Sequence, residues 1–301
     1  MKQRFLGLSG VTLTFAAAML GCGDVPQNGP DGSPAPDSRT PDADAAIDGP
    51  EGPWNPGKLP GIALWLAADT GVTTNNSRVS TWADRSGNNN NAAQSVSARQ
   101  PTLVTGVVNG QPVIRFDGTD DALQVNDSAT LHFATDDFTI AVVAGFQNPT
   151  ANVPYPYAAL VSKQVVASPY RGPSLWANYP VPSVSTTLGL QLSGEAGYHV
   201  PSSSDGYNDG GFRLYSGRRT GGTHLEVRVD GVSEGATDAP TALDISATGE
   251  PLFVGGHVTT GNDVIQALLG DMAEVVAVHG PISEDDLAKL EAYLKAKYAL
   301  H

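Results

Sequence analysis

The chain has 301 residues, of which 34 are glycine and 22 proline, with 7% aromatic residues and a formal net charge of −14. So acidic a chain, with no cluster of basic residues interleaved with aromatics, is a poor partner for nucleic acid or anionic lipid surfaces. Its glycine and proline content favours turns over long helices and points to an all-β domain.

Lys2 and Arg4 precede an apolar run from Phe5 to Leu20. Glycine, serine and threonine interrupt this run, which is too short and broken for a comfortable transmembrane span. It ends in Ala18-Met19-Leu20-Gly21-Cys22. This resembles the lipobox of bacterial lipoproteins, where a small residue precedes a cysteine that is lipidated and becomes the new N-terminus; Met19 departs from the usual leucine. Residues 1–22 are therefore read as a lipoprotein signal peptide. Cys22 is the only cysteine, so the exported domain can form no disulfide and must be held by its core and any bound ion. Gly23, not aspartate, follows Cys22. By resemblance to lipoprotein sorting rules, that favours the outer membrane of a bacterial cell envelope, with the lipid as the sole membrane contact.

Residues 23–58 are rich in proline, aspartate, glycine, serine and alanine, with almost nothing apolar to bury. Such a segment is expected to be a disordered tether spanning roughly 30–35 Å root-mean-square. Trp54 is the exception and is expected to dock on the edge of the domain that follows.

Gly61–Ala67 alternates Ile62, Leu64 and Leu66 with Ala63, Trp65 and Ala67, which reads as a buried strand. Ser80–Asp84 runs into the polar loop Arg85–Asn91. Gln100–Val104 and the turn Asn109-Gly110 lead to Pro112–Val125, a strand, an acidic turn and a second strand. Alternation places Val113, Arg115 and Asp117 on one face and Ile114 and Phe116 on the other. Further strands are expected at Phe138–Ala144, Ala158–Lys163, Leu188–Leu192, Phe212–Ser216, Leu225–Val229 and Leu252–Gly255, separated by glycine-bearing turns. Glu284–Tyr298 reads as a helix. Ser283 is its N-cap and Asp286 completes the capping box, Ile282 and Leu287 staple the entry, and Leu287, Leu290 and Leu294 form the buried stripe.

Leu64-Trp65-Leu66, Trp82 with Asp84-Arg85-Ser86-Gly87-Asn88, Gln100-Pro101, Val113–Leu123 and the closing Gly270–His279 with its helix resemble the laminin-G-like (concanavalin A-like lectin/glucanase) domains of bacterial exported proteins. The resemblance covers roughly residues 59–301. It implies a single two-sheet antiparallel jelly-roll sandwich with one short C-terminal helix. That family includes lectins, adhesion modules, calcium-dependent binders and some enzymes.

Glycosidases of this superfamily carry a glutamate pair on one strand, and this sequence has no Glu-x-Asp-x-Glu pattern. Its nearest acidic pairs are Glu226 with Asp230, near a turn, and Asp271 with Glu274, which simple alternation places on opposite faces. There is no nucleophile elbow and no HExxH. His132, His199, His224, His257, His279 and His301 read as surface or edge residues. Calcium, which takes oxygen ligands, has candidates in Asp84, Asn88, Asp120, Asp121 and Asp271; the competing account is turn capping, by Asp117 and Asp120 in the acidic turn and by Asp84 in the Ser-Gly-Asn loop. Sugar binding calls for an exposed aromatic beside hydroxyl-binding polar groups. These are concentrated in a segment read as irregular, Asn152–Asp209, with Tyr170, Arg171, Trp176, Asn178, Tyr198 and Tyr207 as candidates. The same rings could instead cap the sandwich end as a satellite core.

The expectation is a membrane-anchored, non-catalytic module binding extracellular polysaccharide, glycoprotein or matrix. The alternatives are a protein-binding adhesion or assembly module and a divergent glycan-active enzyme. Metabolic labelling with a fatty acid tests the anchor: Cys22→Ser is expected to lose the label and move the chain from the membrane pellet to the soluble fraction. A Cys22→Ser variant that is still labelled contradicts the lipobox reading.

Overall fold

A computed structural model describes residues 53–147, 157–165, 170–181, 184–193, 198–202, 204–259 and 263–301. Cys22 and nearly all of the tether lie outside the described residues. In chain order the strands are β1 (Ile62–Ala67), β2 (Val72–Asn75), β3 (Arg78–Trp82), β4 (Ala92–Ala93), β5 (Thr102–Val108), β6 (Gln111–Asp117), β7 (Leu123–Val125), β8 (Phe138–Phe146), β9 (Ala158–Ser162) and β10 (Gly172–Val181). They continue as β11 (Val184–Ser193), β12 (Tyr198–Pro201), β13 (Arg213–Thr220), β14 (His224–Val229), β15 (Val232–Asp238), β16 (Leu252–Val254), β17 (His257–Val258), β18 (Val264–Ile265) and β19 (Leu269–His279), followed by helix α1 (Glu284–Tyr298).

All strand pairings among the described residues are antiparallel and, apart from the separate two-stranded β17–β18 sheet, form two layers. The first runs β15–β14–β13–β8–β19; β19 then pairs with β6 along its first half and β1 along its second, with β5 beyond β6. The second runs β12–β11–β10–β9–β16–β7–β4–β3–β2. A single bridge between Arg78 and Thr102 continues the hydrogen bonding from one layer to the other. This is the expected jelly-roll sandwich.

Alternation explains which side chains fill the space between layers. Ile114 and Phe116 of β6 join Leu64 and Leu66, Ile140 and Val142, Leu175 and Ala177, and Leu188, Leu190 and Leu192 in one core. Val113 points the other way, into a second cluster under the helix. Strand β8 is buried at all nine residues, because one face meets the sandwich core and the other meets α1. Within 152–209, β9 and β11 fall on the strands expected at 158–163 and 188–192, whereas β10 and β12 lie in stretches read as irregular. The segment's glycine, proline and serine content imitates loop composition, but inward leucines at every second position decide the structure.

Helix α1 lies on the outer face of the first layer. Leu287, Leu290, Leu294 and Tyr298 pack there with Trp65, Ala141, Val143, Ala273, Val276 and Val278. Ser283 caps it by accepting from the Asp286 amide and donating to the Asp286 carboxylate, and Trp54 packs edge-on against Tyr293. A bulge between Met272 and Glu274 breaks the alternation of β19. Ala273 and Glu274 therefore both face the helix, and Asp271 shares that face instead of opposing Glu274. Glu274 is 0% exposed. Its carboxylate accepts from Trp65 Nε1 at 2.6 Å, Tyr298 Oη at 2.6 Å and Lys297 Nζ at 2.8 Å. Burial lowers the Lys297 pKa, but Glu274, Tyr293 and Asp69 outweigh it and hold the ammonium above its ordinary value.

Removing one member of such a cluster strands its partners without water. Glu274→Ala is expected to cost about 3–5 kcal/mol, read as a lower urea midpoint with unchanged slope. A loss below about 1 kcal/mol contradicts the role assigned to this carboxylate.

Candidate functional site

The acidic candidates divide into three separate places. Asp84 accepts from the Trp65, Ser86 and Asn90 amides and from the Ser86 hydroxyl. Asn88 donates through Nδ2 to the carbonyls of Ile62 and Ala63. These two residues tie the polar loop to β1. Asp271 holds Arg115 through two bonds of 2.8 Å. Asp120 and Asp121 group instead with Asp117, each offering an oxygen within 4.8 Å of the others. Asp117 accepts from the Thr119 and Asp120 amides, and Asp121 Oδ2 accepts from the Asp117 amide. The buried Oδ1 of Asp121 has no hydrogen-bond partner. Burial, followed by the nearby Asp117 charge, pushes the Asp121 carboxyl up to about 6.

The carboxylates weighed as catalytic are also engaged. Glu226 lies between Arg218 at 2.6 Å and Arg228 at 3.2 Å; burial pushes its pKa up, but Ser233 and these guanidinium groups bring it below the ordinary value. Asp230 accepts from the Leu214 amide. An open cleft of about 730 Å³ beside Asp136, Asp137 and His279 has no aromatic ring in its lining other than the imidazole. There Asp136 binds His279, and Asp137 accepts from the Gly221 and Gly222 amides.

The outer face of the second layer carries a different arrangement. A pocket of about 470 Å³ is lined by Tyr157, Gln164, Val165, Tyr170, Trp176, Gln191, His257, Thr259, Ile265 and Gln266. Trp176 and Gln191 project outward because Leu175 and Ala177, and Leu190 and Leu192, project inward. Trp176 Nε1 donates to Gln191 Oε1 at 3.0 Å; since an indole only donates, the bond fixes the orientation of the amide. Tyr157 stands edge-on to Trp176, with ring centroids 5.3 Å apart. Tyr170 is 50% exposed, and its φ of +53° lies in the left-handed region that bulky residues avoid. The backbone after it is equally constrained, since a Cβ on Gly172 would collide with the Lys163 carbonyl. The β17–β18 hairpin supplies His257 and Ile265, with Thr259 and Gln266 at its ends.

Tyr170 and Trp176 are thus the two sugar-site candidates that meet in the pocket, but only Tyr170 is exposed; Trp176, expected as an exposed aromatic, is buried in the wall at 1% exposure. Arg171 is half-buried beside Tyr170, and its charge acts on Asp244. Asn178 is buried on β10, donating to the Gln147 carbonyl at 3.2 Å. Tyr207 is also buried, packed against Tyr215 and beneath the Arg213 guanidinium; it belongs to the core. The side chain of Tyr198 lies outside the described residues. Gln164, Gln191, Gln266 and His257 were not singled out by sequence. The Leu188-Gly-Leu-Gln-Leu192 alternation could have placed Gln191 outward. His257, expected at the surface, is 3% exposed.

No family description matches the chain, and no characterised sequence is significantly similar. Solved structures do share the fold. The binding domain of Paraclostridial Mosquitocidal Protein 1 aligns over 81% of this chain and 53% of its own at 11% identity, with a TM-score of 0.57. The binding domain of botulinum neurotoxin serotype G aligns over 78% and 51% at 10% identity, TM-score 0.51. Domain 4 of AbnA, an extracellular GH43 arabinanase of Geobacillus stearothermophilus, solved with arabinotriose, aligns over 78% and 100% at 9% identity, TM-score 0.52. The chain therefore spans about half the length of the first two and all of the third.

The raised Asp121 pKa gives a signed pH dependence. Its neutral form is favoured in the folded state, so its contribution is fully present below the unfolded pKa near 4 and is lost as pH rises through 6. In chelator, Asp121→Asn is expected to stabilise at pH 7 by on the order of 2 kcal/mol, with no gain at about pH 3.5. Thermal melts at the two pH values check this, and equal effects at both contradict it.

Proposed function

We propose that the folded part is a non-catalytic glycan-binding module, carried on a lipid anchor at Cys22 and the tether that follows it in a bacterial cell envelope. The observation that carries this reading is the pocket on the second layer. There an exposed Tyr170 stands beside Trp176 and Tyr157, with Gln164, Gln191 and Gln266 in the same lining. The exposed Tyr170 ring offers an apolar platform to a sugar face, backed by the buried Trp176, and amides can both donate to and accept from hydroxyls. The volume lies within the usual range of small-ligand sites. The sugar-bound arabinanase domain of the same fold adds support, as a likeness of fold. The ion-paired or capped state of Glu226, Asp230, Asp271 and Glu274 speaks against hydrolysis through them. If calcium binds, the Asp117–Asp120–Asp121 turn is our site for it, because it alone among the proposed ligands gathers three carboxylates; the ion would hold the turn and not the sugar.

Tyr170 links stability and binding with opposite signs. Tyr170→Gly relieves the left-handed backbone, so its melting temperature should rise by about 2–5 °C. The same change removes a stacking ring, so glycan affinity should fall about 5- to 30-fold. A glycan array and a melting curve on the same preparation check both. Undiminished binding by the Tyr170→Gly variant contradicts the proposed site.

A further inference from the structure

His257 is buried in the wall of this pocket, against the edge of Phe253 at a centroid distance of 5.3 Å. Its Nδ1 meets Ser162 Oγ at 3.1 Å, and Ser162 Oγ meets Ser174 Oγ at 2.8 Å. Both serines are 0% exposed. The Ser174 hydroxyl can donate to Ser162, and Ser162 to Nδ1, which leaves the imidazole proton on Nε2. No carboxylate faces the ring among the described residues, so nothing there stabilises an imidazolium. Burial alone holds His257 down to about 4, and the ring is neutral throughout the ordinary pH range.

Among the described residues, the rest of the lining is equally uncharged. The charges nearest in sequence are occupied or directed elsewhere. Lys163 Nζ binds Asp127 and the Glu250 carbonyl, both at 2.6 Å. Arg171, half-buried after Tyr170, is not part of the lining, and its charge acts on Asp244. Asp263, at the end of the hairpin, is exposed and would repel an anion. A carboxylate entering the pocket would lose water and gain no cation, whereas sugar hydroxyls find amides, a hydroxyl and an imidazole N–H.

We propose, resting on the glycan reading above, that this pocket selects an uncharged sugar residue over an acidic one, and that His257, oriented by Ser162 and Ser174, donates to a sugar hydroxyl as a specificity residue. Sialic acids and uronates are the excluded class.

The full chain can be titrated at about pH 5.5 and 7.5, on either side of an ordinary histidine pKa, with arabinotriose, cellotriose and maltotriose, and with sialyllactose and trigalacturonate. At least one neutral trisaccharide should bind at least about tenfold more tightly than either acidic one, with less than about a twofold change between the pH values. His257→Leu should weaken the neutral ligand about tenfold, whereas His257→Gln, which keeps a donor, should stay within about threefold. Ser162→Ala should cost about three- to tenfold without moving the other binding determinants, and it carries the test if the His257→Leu variant fails to fold. Tighter binding of the acidic probes, or affinity that rises toward the lower pH, overturns this inference and leaves the glycan reading standing. No binding by either class on this panel or on a broad glycan array overturns the glycan reading, and this inference with it.

Discussion

One buried carboxylate sets the plan of this molecule. Glu274 accepts three hydrogen bonds on the outer face of the first layer, one from the sheet through Trp65 and two from helix α1 through Lys297 and Tyr298. Apolar packing alone would tolerate sliding of the helix along the sheet, because leucine stripes fit several positions. A desolvated charge does not, since any shift strands it. The helix is thereby held over the face that β8 and β19 present, and both strands are buried on two sides. One face of the sandwich is closed in this way. The pocket forms on the other, where the second layer is overlaid by the short β17–β18 hairpin and neighbouring connections.

The two outer faces also differ in chemistry. The first carries the Arg218–Glu226–Arg228–Glu291 chain of ion pairs in addition to the Glu274 cluster. The second presents rings, amides and hydroxyls around the pocket. Charges that hold the helix are thus segregated from the face proposed to meet a ligand, and an uncharged pocket lining persists on a strongly acidic protein. Loops hold function most often, yet here Trp176 and Gln191 stand on strands β10 and β11, and Tyr170 sits at a strand entry. Strand residues form the floor of the pocket, and the backbone at Tyr170 and Gly172, which brings in the most exposed ring, is constrained.

Much of the fold was legible from residue patterns. The apolar run at Phe138–Ala144, the alternation around Ile114 and Phe116, and the Ser283 cap each act locally, and local physics decides them. Asp117 and Asp84 were also legible as turn holders through bonds to amides close by in sequence; the Asp84 bond to the Trp65 amide, 19 residues away, was not. The bulge at Met272–Glu274 was not, because one extra residue in a strand leaves no compositional mark. Strand β10 was hidden by glycine, proline and serine. His257 escaped the sequence for a stronger reason: its burial depends on Ser162, 95 residues earlier in the chain, and on a hairpin folding over the sheet. Tyr207 looked like a binding aromatic and lies in the core, since composition cannot tell a ring that faces Tyr215 from one that faces water.

The central claim is that the ligand surface is the outer face of the second layer. The chain has four tryptophans, and their indole N–H signals report different places. Trp54 and Trp65 lie under or beside the helix, Trp82 lies in the sandwich core, and Trp176 lines the pocket. In an NMR titration of the nitrogen-labelled chain with neutral oligosaccharide, the Trp176 indole resonance is predicted to move in step with binding while the other three stay in place. Shifts confined to Trp54 and Trp65, or binding that leaves Trp176 unmoved, would contradict the account.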